Sequence, residues 1–281
     1  GLRRNVPSDA TYVRGDVRDP DDLEDAFARD FDVVFHIAGQ ASTIQSFDDP
    51  VNDLSVNVNG TINVVQKCLE HRVPRLLYAS SMTVYGRPAA LPIREEMACR
   101  PVSYYGITKY AAERYVHATA LRNDLDFPFS VTSFRMFNVY GERQRLDNPY
   151  QGVMGIFIGN VIRGEPIVIH GDGEQSRDFV YVDDVIDAWT RAWRNPEADN
   201  QVFNLGTGSR RSINQLADAV LATFEESRES HPLEHSSLRP GDQRHMEADI
   251  TKASGILGWE PQVSFGDGVK RTARWAANHA K

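Results

Sequence analysis

The sequence is poor in cysteine and contains no long apolar segment. Its two cysteines, Cys68 and Cys99, are too few for a disulfide framework and have no metal-ligand spacing, so no metal site is predicted. We interpret both as small buried residues in a reducing compartment. No apolar run approaches the roughly 18–20 residues that a membrane helix needs, and the first ten residues lack the apolar core of a signal peptide. These absences predict a cytoplasmic protein without a membrane partner.

Basic residues are scarce relative to acidic residues. The chain has 31 Lys and Arg against 39 Asp and Glu, which gives a formal net charge of -8. Such a chain has no electrostatic reason to bind nucleic acid or an anionic membrane. Its 281 residues, of which 41% are hydrophobic, are enough for one large α/β domain or two small ones.

Short apolar segments alternate with amphipathic segments along the chain. Segments 32–38 and 75–80 have the continuous apolar composition of parallel strands buried on both faces. Segments 57–71 and 105–121 have the periodicity of helices. The alternation predicts an α/β fold with a doubly wound parallel sheet covered by helices. Further strands are expected in segments 11–13, 130–137, 167–170 and 202–205.

Tyr105 and Lys109 form a Tyr-x-x-x-Lys pair within a predicted helix. Positions i and i+4 lie on one face of a helix, so the ammonium of Lys109 can lie near the phenol of Tyr105. A nearby positive charge lowers a tyrosine pKa from about 10 toward neutral pH, and such a phenol is a general acid–base. Tyr and Lys at this spacing are common on exposed helix faces, so for the pair alone that interpretation would be preferred.

Two serines, Ser80 and Ser81, follow the apolar segment 75–79. Ligands of an open parallel sheet bind at the carboxyl ends of its strands, where the Ser81 hydroxyl can hydrogen-bond a substrate oxygen. We interpret Ser80 as a turn or helix-capping serine. Ser81, Tyr105 and Lys109 are the predicted catalytic group.

Seven motifs occur in the order and spacing of a known family. They are HIAGQAS (36–42), NVNGT (57–61), YASSMTVYG (78–86), PVSYYGITK (101–109), RMFNVYG (135–141), GDGEQSRDFVYVDD (171–184) and RPGDQRHMEAD (239–249). Together they closely resemble the extended short-chain dehydrogenase/reductases that act on nucleotide sugars, the NAD-dependent epimerase/dehydratase family. The nearest likeness is to UDP-hexose 4-epimerases. Each motif alone is a weak signal, whereas seven in order are specific.

The resemblance implies a Rossmann-type NAD-binding domain over residues 1–141, with elements from 178–212, and a smaller substrate-binding lobe mainly over residues 142–281. The family begins with a strand, a Gly-x-x-Gly-x-x-Gly turn that binds the pyrophosphate, a helix and a second strand. This unit is missing from the sequence, which we interpret as a fragment. We therefore expect exposed strand edges, uncovered apolar surface, poor NAD binding and inactivity until the unit is supplied.

The resemblance also implies which residues contact NAD. Asp16 and Val17 match the contacts to the adenine of NAD. The loop 37–41 matches the segment that lies beneath the dinucleotide, and Lys109 matches the residue that holds the nicotinamide ribose. The loop contains a glycine that lets the backbone approach the ligand. The implied cofactor contacts are Asp16, Val17, Ile37, Ala38, Gly39, Gln40, Ala41, Val56, Tyr105, Lys109 and Phe137.

The implied contacts to a UDP-sugar are Ser81, Asn138, Val153, Ile167, Ile169, Arg177, Arg239, Asp242 and Met246. The two arginines match diphosphate contacts, for which a planar guanidinium is well suited. The valine and the two isoleucines match the lining of the uracil and ribose. Met246 falls where 4-epimerases of the family limit the pocket, and a flexible Met leaves plain and N-acetylated hexoses open. Asp178 fits a structural ion pair with Arg177 equally well.

Epimerisation is favoured over other reactions of the family. Dehydratases and decarboxylases of the family carry acidic residues after the catalytic Ser or Thr, whereas Met82 and Thr83 cannot transfer that proton. Cys99 does not match the Cys/His pair of the reductases. The predicted function is NAD-dependent epimerisation at C4 of a UDP-sugar by transient oxidation and re-reduction. The alternatives are another nucleotide-sugar dehydratase or reductase, or a non-catalytic nucleotide-sugar-binding fragment. The resemblance also implies a homodimer formed through helices 57–71 and 105–121.

Overall fold

The computed structural model describes residues 3–148, 150, 152–238 and 241–279. The α-helices are α1 Pro20–Phe27, α2 Thr43–Asp48, α3 Pro50–Leu54, α4 Gly60–Glu70, α5 Tyr104–Ala120, α6 Val153–Arg163, α7 Val182–Arg194, α8 Ile213–Thr223, α9 Thr251–Leu257 and α10 Phe265–His279. The strands are β1 Val34–His36, β2 Arg75–Ser81, β3 Ser130–Met136, β4 Asn138–Tyr140, β5 Ile167–His170, β6 Ser176–Tyr181, β7 Val202–Leu205, β8 Arg210–Ser212 and β9 Leu233–Ser236.

The main sheet is parallel and has the strand order β1-β2-β3-β7. Successive side chains of a strand point to opposite faces, so neighbouring residues of β2 enter different cores. Leu76 packs in a cluster with α1, α4 and α5, whereas Leu77 packs in a cluster with α7 and α9. Helices therefore cover both faces, and the predicted doubly wound α/β fold is confirmed.

A second lobe contains two smaller sheets. One has the strand order β4-β6-β8 and the other pairs β5 with β9. The side chains of α6, α8 and α10 pack on these sheets around Tyr181, Leu216 and Val269. The helix α8 begins with a capping box in which Ser212 and Gln215 satisfy each other's backbone N–H groups.

One edge of the main sheet is exposed, as the sequence predicted. Strand β1 has no neighbour on its outer side within the described residues. The adjacent apolar residues Phe35 and Ile37 are 41% and 63% exposed. The predicted strand at 11–13 is wrong, because these residues form no ladder with a described strand and lie extended on the surface. Among the described helices, none has both the length and the apolar character that crossing a bilayer requires.

Candidate active site

Ser81 ends strand β2 at the carboxyl edge of the main sheet, where ligands of such sheets bind. Its hydroxyl accepts hydrogen bonds from the backbone N–H of Thr83, at 3.3 Å, and from the Thr83 hydroxyl, at 2.9 Å. The turn after β2 ends at Gly86, whose φ of +65° favours glycine. A Cβ atom there would clash with the backbone carbonyl of Arg100, so this glycine lets the segment before α5 approach Ser81.

Tyr105 lies in the first turn of helix α5. The helix begins at Tyr104 because the Ser103 side chain caps it and accepts a hydrogen bond from the Gly106 backbone N–H at 3.1 Å. The Tyr105 hydroxyl forms a hydrogen bond with the Ser81 hydroxyl. Two of the three predicted catalytic residues are thus in contact, and both line one cleft.

Burial raises the pKa of Tyr105, the hydrogen bond with Ser81 lowers it, and the carboxylate of Asp53 raises it further. The net direction is upward, so the lowering that we expected from Lys109 is not found. Burial also lowers the pKa of Lys109 to about 7, against the opposing fields of Glu113 and Asp53. At neutral pH this lysine is therefore only partly charged.

The Lys109 side chain is 5% exposed, and its ammonium lies 4.4 Å from the centroid of the Tyr78 ring. It makes no ion pair with a carboxylate in the described part of the chain. The loop residue Gly39 lies beside it, and a Cβ atom on Gly39 would lie 3.8 Å from Lys109 Nζ and 3.0 Å from Asn57 Oδ1. This glycine thus leaves a gap beside a cation, which fits the hydroxyl groups of a nucleotide ribose.

The predicted cofactor loop is exposed next to this gap. Ile37, Ala38, Gly39 and Ala41 are exposed, while Gln40 is half-buried and its backbone N–H donates to Asn57 Oδ1 at 2.9 Å. A dinucleotide can reach the backbone of such a loop.

The other predicted cofactor contacts lie on the segments that flank this loop. Val56 is half-buried on the helical segment next to Asn57. The carboxylate of Asp16 is bound by Arg18 at 2.6 Å, which holds the Asp16 pKa near 2. Val17 accepts a hydrogen bond on its carbonyl from Asn63 at 3.0 Å.

The cleft has a volume of about 400 Å³, which is within the usual size of a small-molecule site. Ser81, Tyr105 and Phe137 form the wall on the side of the main sheet. Val153 and Arg177 form the wall on the side of the second lobe. The structure therefore brings predicted catalytic, cofactor and substrate residues to one cavity.

Three buried polar atoms on the cleft walls have no hydrogen-bond partner among the described residues: Asn138 Oδ1, Gln144 Oε1 and Gln175 Oε1. Buried polar atoms are normally hydrogen-bonded, so unpaired ones on a cavity wall indicate a polar ligand. Asn138 was predicted from the sequence, whereas Gln144 and Gln175 were not. A polar residue in a loop carries no pattern that would have identified them.

Arg177 and Asp242 both line the cleft, and they form an ion pair with each other. Burial lowers the Arg177 pKa, while Asp242 raises it. The alternative pairing of Arg177 with Asp178 is wrong. Asp178 instead anchors backbone N–H groups, with bonds of 2.7 Å from Thr207 and 2.9 Å from Gly208.

Two residues of strand β5 that were predicted to line the substrate site do not line the cleft. Ile167 and Ile169 are fully buried in the core of the second lobe, because alternate residues of a strand face the same side. Their neighbours Val168 and His170 line the cleft.

The structure also tests the predictions that Met246 limits the substrate pocket and that Ser80 is a turn or helix-capping serine. The predicted diphosphate contact Arg239 lies outside the described residues. Met246 is fully buried with Ile93 and Phe137 and does not line the cleft, so it is not placed to limit the pocket. Ser80 does not cap a helix, since its hydroxyl donates to Glu113 Oε2 at 2.6 Å.

A parallel sheet that carries Ser81 at the end of one strand and Tyr105 and Lys109 on the following helix defines a short-chain dehydrogenase/reductase of the extended type. The sequence matches the NAD dependent epimerase/dehydratase family over residues 2–206, and the chain belongs to this family. The predicted enzyme class and the NAD cofactor are therefore confirmed.

Individual proteins agree with this assignment. The UDP-glucose 4-epimerase of Mycolicibacterium smegmatis is 36% identical over 255 residues, which span 89% of this chain and 77% of that protein. The UDP-glucose 4-epimerase of Thermotoga maritima, solved with UDP-glucose, is 33% identical with a TM-score of 0.93 over 100% of this chain and 89% of the other. The UDP-glucose 4-epimerase of Thermus thermophilus, solved with NAD, is 31% identical with a TM-score of 0.89 over the same shares of the two chains.

Proposed function

We propose that the chain epimerises a UDP-hexose at C4 by transient oxidation and re-reduction of the sugar. The observation that carries this proposal is the hydrogen-bonded pair of Ser81 and Tyr105 on the wall of a cleft whose far side holds Arg177. A hydroxyl pair of this kind suits proton transfer at a sugar hydroxyl, and a guanidinium suits a diphosphate. The names of the similar proteins support the same substrate class.

Bound NAD supplies the hydride acceptor and donor for the sugar carbon. The phenolate oxygen of Tyr105 takes the proton of the C4 hydroxyl and later returns it. The Ser81 hydroxyl orients the same sugar oxygen. A protonated Lys109 favours the phenolate form of Tyr105 and offers hydrogen bonds to ribose hydroxyls through the gap at Gly39.

Acid–base groups for other reactions of the family are absent from the described cleft beside Ser81. Met82 packs into a hydrophobic cluster, and Thr83 donates its hydroxyl hydrogen to Ser81. Cys99 packs beside the same cluster and does not line the cleft, and burial raises its pKa. These placements argue against dehydration, decarboxylation and Cys-dependent reduction.

The test is the conversion of UDP-galactose to UDP-glucose by the chain supplied with the Gly-rich N-terminal unit, with the N-acetylated pair as a second substrate. Tyr105→Phe removes the phenol oxygen, so we expect turnover to fall by roughly 10²–10⁴-fold while UDP binding persists. Tyr104→Phe removes an exposed hydroxyl one residue away and serves as the matched control. Unchanged turnover in Tyr105→Phe would assign the proton transfer to another group. UDP-sugar binding without any turnover by the chain that carries this N-terminal unit would favour the non-catalytic alternative.

We also propose that residues 1–141 and part of 178–212 form the cofactor-binding domain, and that 142–281 mainly form the substrate-binding lobe. Two elements of the segment 178–212 support this division, because both join the main sheet of the cofactor-binding domain. Helix α7 packs on that sheet, and strand β7 extends it. Strands β4 and β8 belong instead to the second lobe, where both pair with β6. Limited proteolysis tests the division, which predicts first cleavage in segments between the two cores.

A homodimer is the proposed assembly. Four exposed apolar side chains, which we call the α3–α5 patch, support it: Val51, Leu54, Ile107 and Tyr115. The helices α3 and α5 are neighbours, exposed apolar side chains on adjoining helices favour an interaction site, and a second copy presents the same side chains. The sequence placed this interface on helices 57–71 and 105–121, whereas the exposed apolar side chains lie on α3 and α5. Light scattering of the purified chain measures the assembly.

A further inference from the structure

A buried carboxylate outside the predicted catalytic group lies at the centre of a hydrogen-bond network. Asp53, on the short helix α3, is fully buried. Its Oδ1 atom accepts hydrogen bonds from Gln40 Nε2 at 2.7 Å and from Asn57 Nδ2 at 3.0 Å. Its Oδ2 atom accepts a hydrogen bond from Thr108 Oγ1 at 2.7 Å.

This network joins the cofactor loop to the catalytic helix. Gln40 belongs to the loop 37–41, and Thr108 directly precedes Lys109 on α5. Asn57 lies in a π-helical turn, Ser55–Asn59, between α3 and α4. Such turns are rare and occur often at functional sites. Since Asn57 bonds to both the backbone N–H of Gln40 and the carboxylate of Asp53, the loop is held at two points.

The charges around Lys109 single out Asp53. From its own helix, Lys109 faces Glu113 and Tyr105, but Glu113 is already paired with Arg135 through bonds of 2.6 and 3.1 Å. Burial, with the field of Lys109, lowers the pKa of His36 on β1 to about 3, so this ring is neutral.

The two remaining titratable groups near Lys109 are Tyr78 and Asp53. Burial raises the pKa of Tyr78 on β2, so its phenol is uncharged. Asp53, on α3, bonds only to neutral donors among the described residues. Burial raises the pKa of Asp53, whereas the bonds from Thr108 and Gln40 lower it. Among the described residues, Asp53 is therefore the carboxyl group near Lys109 that no guanidinium pairs with.

We propose that Asp53 is a positioning residue that supplies the counter-charge to the Lys109 ammonium and fixes the loop 37–41 against helix α5. The carboxylate acts on the reaction through Lys109 and Tyr105 and does not touch the sugar. For turnover, this inference rests on the proposed function. For the ionisation of Lys109, it stands independently.

The direct test is the titration of Lys109 by NMR in protein labelled with ¹³C-lysine. The chain has only five lysines, and a Lys109→Met variant identifies the signal. Asp53→Asn keeps the shape, because Thr108 Oγ1 lies 3.1 Å from the Tyr105 carbonyl and can donate there instead. We expect the Lys109 pKa to fall on the order of one unit, since a nearby opposite charge shifts a pKa by about that amount.

Two matched variants separate charge from structure. Asp48→Asn removes an exposed carboxylate at the end of α2, just before the helix α3 that carries Asp53, and the Lys109 pKa should not move. Asp53→Ser also removes the charge, so it should lower the Lys109 pKa as Asp53→Asn does. An unchanged Lys109 pKa in both Asp53 variants would overturn the proposal.

Turnover gives an independent second measurement. Removing the Asp53 charge lowers the pKa of both Lys109 and Tyr105, so both limbs of the pH–rate profile should move to lower pH, with kcat affected more than KM. Asp48→Asn leaves Asp53 and its hydrogen bonds in place, so its profile should not move. If the Lys109 titration shifts but the chain supplied with the Gly-rich N-terminal unit has no epimerase activity, the proposed function fails and the role of Asp53 stands.

Discussion

His36 is a residue whose ionisation the fold suppresses. Its ring is 3% exposed, and Nε2 lies 2.9 Å from the hydroxyl of Thr61, which itself donates to the Asn57 carbonyl at 2.6 Å. Burial, with the field of Lys109, lowers the His36 pKa to about 3. Between that value and the ordinary value of about 6.5, the unfolded chain binds a proton that the folded chain does not. Stability must therefore fall as pH falls through this window.

The variant His36→Gln isolates this effect, since its amide can occupy the position of Nε2 without titrating. We expect the unfolding free energy of the unaltered chain to fall by about 1.4 kcal/mol more per pH unit than that of the variant between pH 6 and pH 4. Urea denaturation at several pH values measures the two slopes. His279→Gln, at an exposed histidine, should keep the slope of the unaltered chain. Equal slopes for the unaltered chain and His36→Gln would contradict the assignment.

The catalytic residues show what can be predicted at this scale. The identities of Ser81 and Tyr105 followed from motifs, and the structure places their hydroxyls in contact. The pKa of Tyr105 could not be predicted, because its direction depends on how fully the site is buried and on Asp53. The role of Asp53 was missed for the same reason. A buried Asp differs from an exposed one only in its long-range neighbours.

Strand β5 shows the limit of prediction for an element. Its four residues read Ile-Val-Ile-His, so at least three are apolar and composition does not distinguish the core face from the cleft face. The structure resolves the choice, since Ile169 lies in the core and Val168 faces the cleft. The strand was predicted correctly, but its register relative to the site was reversed, because a shift of one residue exchanges the two faces.

Paired substitutions on β5 test this register. Ile169→Ala leaves a cavity in the second lobe, and we expect the unfolding free energy to fall by about 2–5 kcal/mol with the KM for the UDP-sugar retained. Val168→Phe adds volume on the cleft side, so KM should rise with little change in stability. Thermal or urea denaturation and steady-state kinetics measure the two effects. If Ile169→Ala raised KM and Val168→Phe mainly lowered stability, Ile169 would face the cleft, as the sequence predicted.

The segment 57–71 shows a second limit. Its periodicity predicted one continuous helix, whereas the structure has a π-helical turn over Ser55–Asn59 followed by α4 Gly60–Glu70. The spacing of hydrophobic residues does not reveal the one extra residue that a π-helical turn contains. That turn carries Asn57, whose bonds to Gln40 and Asp53 depend on side chains from other elements. Tertiary contacts, rather than local propensity, account for this feature.

At the scale of the whole molecule, the cleft results from chain segments that are distant in sequence. The alternation of strands and helices predicted the parallel sheet, and the segment 178–212 was expected to return to it. Strand β7 does so by pairing with β3, which aligns Phe134 with Phe203. The meeting of Arg177 with Asp242 could not be predicted, because it depends on how the second lobe folds back over the strand ends.

The assembly is the remaining property of the whole molecule, and the α3–α5 patch determines it in our proposal. Ile107 lies on the outer face of α5 and is 49% exposed, so Ile107→Asp places a charge in the proposed interface without entering the core. We expect the unaltered chain to scatter light as a particle of twice 31.6 kDa and the variant as a single chain. Ile186→Asp makes the same change at a 58% exposed site on α7 and should stay dimeric. If the unaltered chain has the mass of one chain at micromolar concentration, the exposed apolar face of α5 needs another partner.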